Sequence, residues 1–228
     1  MVEILPAILS TTRADYHKKF KAAEPFADWM QIDIVDGRFA PNRTIGPEVV
    51  KAFRTLKKLE IQLMVRFIED WVDPFVKIQA VKRIVFPVES AADPIGLARH
   101  VKRHGLEVGA SINPQTPVEK LQHIIGHLDT VLVLSVHPGF SGQHFVQGSF
   151  EKIKKIKQMR PNVRVEIDGG VSAGVARKAA EMGADILISG SSIFENDKIE
   201  GESYQEKVKN ALAILKEDVE GVIPTIEP

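Results

Sequence analysis

The 228-residue sequence contains no cysteine, and this absence excludes several kinds of site. A disulfide framework cannot form, and no thiolate is available to hold a zinc ion or an iron–sulfur cluster. The absence of disulfides agrees with a reducing compartment. We therefore expect a cytoplasmic protein whose fold depends on its core alone.

An excess of charge of one sign is also absent. Thirty lysine and arginine residues balance thirty aspartate and glutamate residues, which gives a formal net charge of zero. Proteins that bind nucleic acid or anionic membrane surfaces without sequence specificity rely on an excess of positive charge. The balance of charge therefore argues against nucleic acid and membranes as partners.

Long hydrophobic runs are absent as well. No stretch reaches the roughly 18 consecutive apolar residues of a transmembrane helix. The N-terminal segment MVEILPAILSTTR lacks the basic opening and the length of a secretory signal. Hydrophobic residues nevertheless make up 44% of the chain, which is ample for a continuous core. We expect these residues to lie inside the protein rather than in a membrane.

Short apolar runs rich in β-forming residues alternate with helical patterns along the whole chain. Residues 117–128, 151–160 and 174–183 have apolar residues at helical spacing, and the last of these segments ends in a glycine suited to a helix C-terminus. The apolar runs, which we predict to be strands, cover residues 3–10, 29–35, 60–65, 83–88, 107–112, 130–136, 164–168 and 185–190. The pattern therefore contains eight strand–helix units.

Strands that are apolar throughout and separated by helices are typical of a parallel sheet covered on both faces. Eight such units favour a closed (β/α)₈ barrel over an open sheet. We therefore predict a single (β/α)₈ barrel domain over residues 1–228, with a short C-terminal tail from about residue 218. Active sites of this fold lie at the carboxyl ends of the strands.

Two predicted strands carry an aspartate towards that end. Asp33 belongs to QIDIVDG, and Asp168 belongs to EIDGG. A carboxylate that faces a barrel mouth is costly unless it is solvated, hydrogen-bonded or paired, so its presence suggests a function. Two carboxyl groups on opposite sides of a mouth suit proton removal from one face of a substrate and proton delivery to the other. The alternative is that each aspartate caps the turn that follows it.

Small residues cluster in three consecutive loops after strands. The segments are HPGFSGQ at residues 137–143, DGGVS at residues 168–172 and ISGSSIF at residues 188–194. Backbone N–H groups of such loops can converge on an anion, and the loops after strands 7 and 8 of this fold commonly bind phosphate. Glycine also serves tight turns between strand and helix, but three clusters in succession favour phosphate.

Successive motifs give the chain a family resemblance. In order they are PAILS, QIDIVDGRFAPNRTIGP, IQLMV, SINPQTP, LSVHPGFSGQHF, EIDGGV and GADILISGSSIF. Together they cover nearly the whole sequence and resemble the motifs of ribulose-phosphate 3-epimerases. The resemblance implies a barrel that interconverts D-ribulose 5-phosphate and D-xylulose 5-phosphate. It also implies a divalent metal, such as Zn, Fe or Mn, that two aspartates and two histidines hold to stabilise an enediolate.

The resemblance also assigns roles to residues of this chain. It implies that Asp33 and Asp168 are the acid and base, that Ser10 contacts the substrate, and that residues 38–44 form a flexible loop over it. It further implies that the protein is a homo-oligomer. The phosphate groups of the family correspond to Gly142, Gly169, Gly170, Gly190 and Ser191.

The chain departs from the family at both metal-binding histidines. Gln31 stands two residues before Asp33, and Gln62 stands in IQLMV where the family has a histidine. A carboxamide oxygen is a poor ligand for zinc or iron and suits hard cations better. Metal binding is therefore uncertain, and any metal would have Asp33 and Asp168 as its ligands. One hypothesis is that the two amides hydrogen-bond the enediolate directly, as the donors of an oxyanion hole do. The other is that they are polar fillers in a retired site.

Three functions follow from these residues. The first is epimerisation of ribulose 5-phosphate or a related phosphorylated ketose. The second is a catalytically silent barrel that binds a phosphosugar. The third is an epimerase for another ketose phosphate, because Val35 and Leu134 replace methionines that line the site in the family. His137, which follows the sixth predicted strand, is a further candidate for contact with the substrate or a metal.

Overall fold

The computed structural model describes residues 2–140, 142–143 and 145–225. Its strands form a closed barrel in chain order, in which each strand is parallel to the next and β8 pairs with β1. This confirms the predicted (β/α)₈ barrel. The strands are β1 Glu3–Ile8, β2 Trp29–Val35, β3 Lys58–Met64, β4 Val81–Pro87, β5 Glu107–Ile112, β6 Thr130–Leu134, β7 Arg164–Asp168 and β8 Ile186–Ser189.

Helices surround the barrel and bury their apolar faces against it. Side chains at two helix N-termini accept hydrogen bonds from backbone N–H groups that have no partner within the helix, since Thr12 accepts from Asp15 N and Ser203 accepts from Glu206 N. The main core lies between the strands and this outer layer. The described helices are α1 Arg13–Ala23, α2 Pro47–Ala52, α3 Glu69–Val76, α4 Pro94–Arg103, α5 Ser149–Met159, α6 Val175–Glu181, α7 Ser191–Phe194 and α8 Tyr204–Val219.

The helix expected at residues 117–128 is wrong. Two 3₁₀ turns, Val118–Leu121 and Ile125–His127, occupy that segment between β5 and β6. Gly126 and the adjacent β-branched residues Ile124 and Ile125 weaken an α-helix in this segment. The buried residues of the two turns still pack against the barrel, so the apolar pattern reflects burial rather than a continuous helix.

The other two predicted helices are present. Residues 151–160 fall almost entirely in α5, and residues 174–183 contain α6. Gly183 follows α6 with φ of 98°, a left-handed conformation that glycine adopts without strain.

The C-terminal helix packs against α1 and α6 and ends at Val219. The residues after it return to the barrel, where Thr225 N donates to Glu181 O at 2.8 Å. Residues 226–228 of the predicted tail lie outside the described part of the chain. Within that part, no helix is long and apolar enough to cross a membrane.

Inside the barrel, an ion cluster lies one pair of residues below the mouth. Arg83 Nη1 contacts Glu60 Oε2 at 2.6 Å and Glu166 Oε1 at 2.9 Å, and all three side chains are fully buried. The Arg83 guanidinium also stacks on Trp29, with 4.5 Å between its Cζ atom and the ring centroid. Glu60 and Glu166 stand two residues before Gln62 and Asp168, so the cluster supports the strands directly under the mouth.

Candidate active site

Asp33 and Asp168 meet at the carboxyl end of the barrel. Asp33 lies on β2, and Asp168 is the last residue of β7. Both side chains line one cavity at the mouth, as the sequence predicts. The cavity wall between them includes Leu134, which pairs with Asp168 in the register of β6 and β7. The two carboxyl groups can therefore act on one bound molecule.

Gln31 lies behind the two carboxyl groups. It is two residues before Asp33 on the same strand, so both side chains point into the barrel. Its Nε2 atom donates to Asp33 Oδ1 at 2.7 Å and lies 3.4 Å from Asp168 Oδ2. The same atom donates to Gln62 Oε1 at 2.7 Å. Gln31 is fully buried, and its Oε1 atom has no hydrogen-bond partner among the residues that the structure describes.

Gln62 bridges the two aspartates from the neighbouring strand, where it pairs with Asp33 in register. When its amide is turned over, Nε2 lies 2.9 Å from Asp33 Oδ1 and 3.1 Å from Asp168 Oδ2 and donates to both. That orientation also brings it within 2.7 Å of Gln31 Nε2, which is unfavourable for two amide nitrogens. We favour the orientation that presents Oε1, because a protonated Asp168 would then donate to it.

The surroundings of the two aspartates separate their pKa values. Burial raises the pKa of Asp33 to about 6, against the opposing effects of the Gln31 amide and the Lys19 ammonium. Burial, followed by the charge of Asp33, raises the pKa of Asp168 to about 8. Two carboxyl groups this close cannot both ionise easily. At neutral pH the pair therefore holds one proton.

The five residues assigned to phosphate binding all line the same cavity as the aspartates. Gly169 and Gly170 have φ of 108° and 63°, conformations that other residues adopt only with strain. A Cβ atom on Gly169 would lie 2.5 Å from Val136 Cγ2. Glycine is therefore required for the chain to turn directly after Asp168. The five residues are Gly142, Gly169, Gly170, Gly190 and Ser191.

The loop at residues 38–44 lies beside the mouth and contacts the loop after β6. Asn42 Nδ2 donates to Gly139 O at 2.7 Å. The end of the loop is tied to the strand that carries Asp33, since Thr44 Oγ1 donates to Asp33 O at 2.8 Å and accepts from Val35 N at 2.9 Å. The predicted lid thus adjoins the cavity, and its base is fixed to β2.

Other candidates from the sequence lie in different positions. Ser10 is buried and donates its hydroxyl to Asp15 Oδ2 at 2.7 Å, and it does not line the cavity. Gln31 and Gln62 also do not line it, so the structure places their amides against the aspartates instead of against the cavity. His137 does line it, with its Nε2 atom 3.3 Å from Gln115 Nε2.

Lys19 is a cavity residue that the sequence does not reveal. It lies on α1, where a lysine at a helical position normally faces solvent. Here it is buried, and its Nζ atom donates to Leu9 O and to Glu195 Oε1, each at 3.1 Å. Only the fold, which brings α1 next to the loop after β8, places this positive charge near Asp33.

The donor set at the family's metal position does not fit a zinc or iron ion. It consists of two carboxylates and two carboxamides, and Gln31 directs its nitrogen towards Asp33. An amide nitrogen that carries two protons has no lone pair to give to a cation. A soft or borderline metal prefers the imidazoles that this chain lacks.

A closed barrel whose mouth combines two carboxyl groups with glycine loops defines a phosphate-binding (β/α)₈ barrel protein. The ribulose-phosphate 3 epimerase family matches residues 3–194, and the chain belongs to this family.

Relatives from distant organisms carry the same name. The chain is 34% identical over 204 residues to the ribulose-phosphate 3-epimerase of Bacillus subtilis, covering 85% of this chain and 93% of the relative. It is 34% identical over 200 residues to the enzyme of Mycobacterium tuberculosis, covering 85% and 86%. A chloroplastic ribulose-5-phosphate-3-epimerase of Arabidopsis thaliana is 34% identical over 218 residues, covering 92% and 76%.

Solved structures share the fold at low identity. A structure of KGPDC from Streptococcus mutans in complex with a ribose 5-phosphate has a TM-score of 0.71 at 14% identity, covering 97% of this chain and 98% of that one. The 3-hexulose-6-phosphate synthase of Salmonella typhimurium has a TM-score of 0.69 at 14% identity, covering 96% and 98%. These similarities show the barrel fold alone.

Proposed function

We propose that the protein interconverts D-ribulose 5-phosphate and D-xylulose 5-phosphate by moving a proton at C3 between Asp33 and Asp168. The observation that carries this proposal is the shared cavity, which both carboxyl groups line together with the five phosphate-site residues. Membership of the epimerase family supports the same reaction. The ribose 5-phosphate in the KGPDC structure supports a phosphorylated sugar as the class of substrate.

The two carboxyl groups divide the proton transfer between them. One carboxylate removes the C3 proton from one face of the ketose, and the other carboxyl group, still protonated, delivers a proton to the opposite face. One group must therefore be ionised and the other neutral. Their pKa values of about 6 and about 8 meet this requirement at neutral pH. Turnover exchanges the two states, so the reverse reaction uses the same pair.

The phosphate of the substrate would lie at the opposite end of the cavity from the proton transfer. Gly169 and Gly170 directly follow Asp168, so phosphate binding and the catalytic carboxyl group depend on one turn of the chain. Holding the phosphate there fixes the distance from the bound end of the sugar to C3. Positioning of this kind contributes to rate because the reacting carbon meets both carboxyl groups in one orientation.

A second candidate function is phosphosugar binding without catalysis. The observation that favours it is the replacement of both family histidines by Gln31 and Gln62. A third candidate is an epimerase for another ketose phosphate. Leu134, which replaces a family methionine, lines the cavity beside Asp168 and would contact the sugar. All three functions predict phosphate binding, and they differ in exchange of the C3 proton.

The test is proton exchange in deuterium oxide. Purified protein is incubated with D-ribulose 5-phosphate, and loss of the C3 proton signal is followed by NMR. We expect exchange in the wild type and a loss of about 10²–10⁴-fold in Asp33→Asn and in Asp168→Asn, since each removes one acid/base group. Asp70→Asn, which changes an exposed aspartate on α3, is the matched control and keeps the wild-type rate.

Binding of the substrate without exchange would favour the silent barrel. Exchange in another ketose phosphate at a higher kcat/KM than in ribulose 5-phosphate would favour the third candidate. Titration of the Asp33→Asn variant with inorganic phosphate checks that its phosphate site is intact.

A further inference from the structure

We propose that Gln31 and Gln62 form an amide bridge that holds the Asp33 and Asp168 carboxyl groups without a metal ion. The amide bridge is defined here as these two side chains with their contacts to the two aspartates. It deepens the proposed function and rests on it, because it assigns positioning roles to two residues of the same site. The family resemblance implies a metal at this place, and the geometry of this chain provides a different link.

The bridge is continuous from one aspartate to the other. Gln31 Nε2 donates to Asp33 Oδ1 and to Gln62 Oε1, both at 2.7 Å. The Gln62 amide lies within hydrogen-bond distance of both carboxyl groups. Each carboxyl group therefore has an amide contact on the side away from the cavity. Such contacts restrict rotation of the carboxyl groups, which is the role that a shared metal ion would otherwise serve.

Burial makes the amide bridge a positioning device. Neither glutamine lines the cavity, and both are fully buried behind residues that do. A substrate in the cavity thus meets the aspartates first. The glutamines act through them by fixing the direction of each carboxyl group towards C3. Direct contact between the amides and an enediolate is not what this arrangement provides.

The same burial argues against polar fillers. A buried glutamine loses the freedom of its side-chain torsions, and the unpartnered Oε1 atom of Gln31 within the described part of the chain adds a desolvation cost. Apolar side chains of similar size would fill the space at a lower cost. Two neighbouring glutamines that spend their hydrogen bonds on the two acid/base residues are better explained by a role in orienting them.

The first experiment measures metal content beside proton exchange. The purified protein is dialysed against EDTA, its Zn, Fe, Mn and Co content is determined by mass spectrometry, and exchange at C3 of ribulose 5-phosphate is measured. We expect less than one metal ion per ten chains and an exchange rate that neither EDTA nor added Zn²⁺ changes. A chelator-sensitive rate together with one bound metal per chain would overturn the amide bridge and leave the proposed function standing.

The second experiment restores the imidazoles. The double variant Gln31→His/Gln62→His is titrated with Zn²⁺ by calorimetry and with Co²⁺ by absorption spectroscopy, neither of which depends on activity. We expect about one high-affinity site per chain in the double variant and none in the wild type. Absence of the site in a folded double variant would show that the amides do not occupy the metal position, which overturns the inference.

The third experiment separates positioning from stability. Gln62→Leu is expected to lower kcat about 100-fold with a nearly unchanged KM, because a carboxyl group displaced by about 1 Å loses rate but not phosphate binding. Gln62→Glu keeps the size and offers a carboxylic acid in place of the amide at low pH. We expect it to recover activity as the pH falls. Gln158→Leu, an exposed glutamine on α5, is the matched control.

The outcomes separate the inference from the function. If the wild type exchanges the C3 proton without metal but Gln62→Leu, folded by circular dichroism, keeps the wild-type kcat, the amide bridge is wrong and the epimerase remains. If the wild type shows no exchange with or without metal, the proposed function fails. The zinc titrations of the wild type and the double histidine variant then still report whether the amides replaced a metal site.

Discussion

At the scale of single residues, the two aspartates differ because their surroundings differ. Asp168 lies between the charge of Asp33 and the buried Glu166, and both raise its pKa in addition to burial. Asp33 has the nearer amide hydrogen bond and the positive charge of Lys19, which hold its pKa lower. The two groups thus titrate as one pair with separated values. The structure assigns the base to Asp33 and the acid to Asp168 at neutral pH.

We expect a bell-shaped pH profile of kcat/KM for the exchange of ribulose 5-phosphate. Activity rises with pH as Asp33 loses its proton near pH 6, and it falls as Asp168 loses its proton near pH 8. The optimum therefore lies close to pH 7. The phosphate of the substrate also titrates near pH 6, so the affinity for inorganic phosphate is measured over the same range as a control. An activity that stays constant from about pH 4.5 to about pH 9 would contradict this assignment.

The sequence predicts the residues of this pair but not their support. Asp33 and Asp168 are recognisable because each is an acidic residue near the carboxyl end of an apolar strand. Side chains two apart on a strand share a face, so Gln31 is expected near Asp33. The depth of a side chain in the barrel depends on the stagger between strands, which local pattern does not contain. For this reason the sequence does not show that the amides lie behind the carboxyl groups.

At the scale of elements, strands are predicted better than the segments between them. A parallel strand buried on both faces is a short apolar run, and all eight predicted runs coincide with observed strands. The segment at residues 117–128 has the same apolar spacing in 3₁₀ turns as in an amphipathic helix, so its pattern does not distinguish them. Backbone conformation in that link depends on Gly126 and on packing against the barrel.

The turn after β7 is the element on which the phosphate site depends. We expect Gly169→Ala to lower the free energy of unfolding by about 3 kcal/mol, because φ of 108° strains alanine and its Cβ atom would lie 2.5 Å from Val136 Cγ2. We also expect weaker binding of inorganic phosphate, since Gly169 lines the cavity. Urea unfolding and phosphate titration measure the two effects.

A matched glycine separates backbone strain from close contact. Gly105 follows α4 with φ of 74°, and a Cβ atom there would meet no atom of the described residues within 4 Å. Gly105→Ala is therefore expected to lose only about 1 kcal/mol, the cost of the left-handed conformation, and to bind phosphate normally. Equal losses in the two variants would mean that the contact with Val136 relaxes without cost.

At the scale of the whole molecule, the barrel closes around charges rather than around an apolar interior alone. Glu60, Arg83 and Glu166 come from three strands and are fully buried. Burial and mutual repulsion raise the pKa of Glu60 well above its usual range, and burial raises the pKa of Glu166. The sequence shows these charges inside apolar strands, but their meeting requires closure of the barrel. They form the layer on which the amide bridge and the acid/base pair rest.

We expect Arg83→Met to lower the free energy of unfolding by about 3–5 kcal/mol at pH 8, because it leaves buried carboxyl groups without their cation. The loss is smaller at pH 5. Glu60 and Glu166 have raised pKa values in the folded state, so the folded protein binds more protons than the unfolded chain, and stability falls as the pH rises. Urea unfolding at both pH values measures the difference.

Removal of the whole cluster distinguishes an unpaired charge from lost packing. The triple variant Arg83→Met/Glu60→Met/Glu166→Met is expected to unfold within about 1–2 kcal/mol of the wild type, since an apolar set of similar volume replaces a buried ion cluster with little loss. The same urea unfolding measures it. A single Arg83→Met variant that is no less stable at pH 8 than at pH 5 would show that the two glutamates find another partner, and the cluster would then not be what holds the strands beneath the mouth.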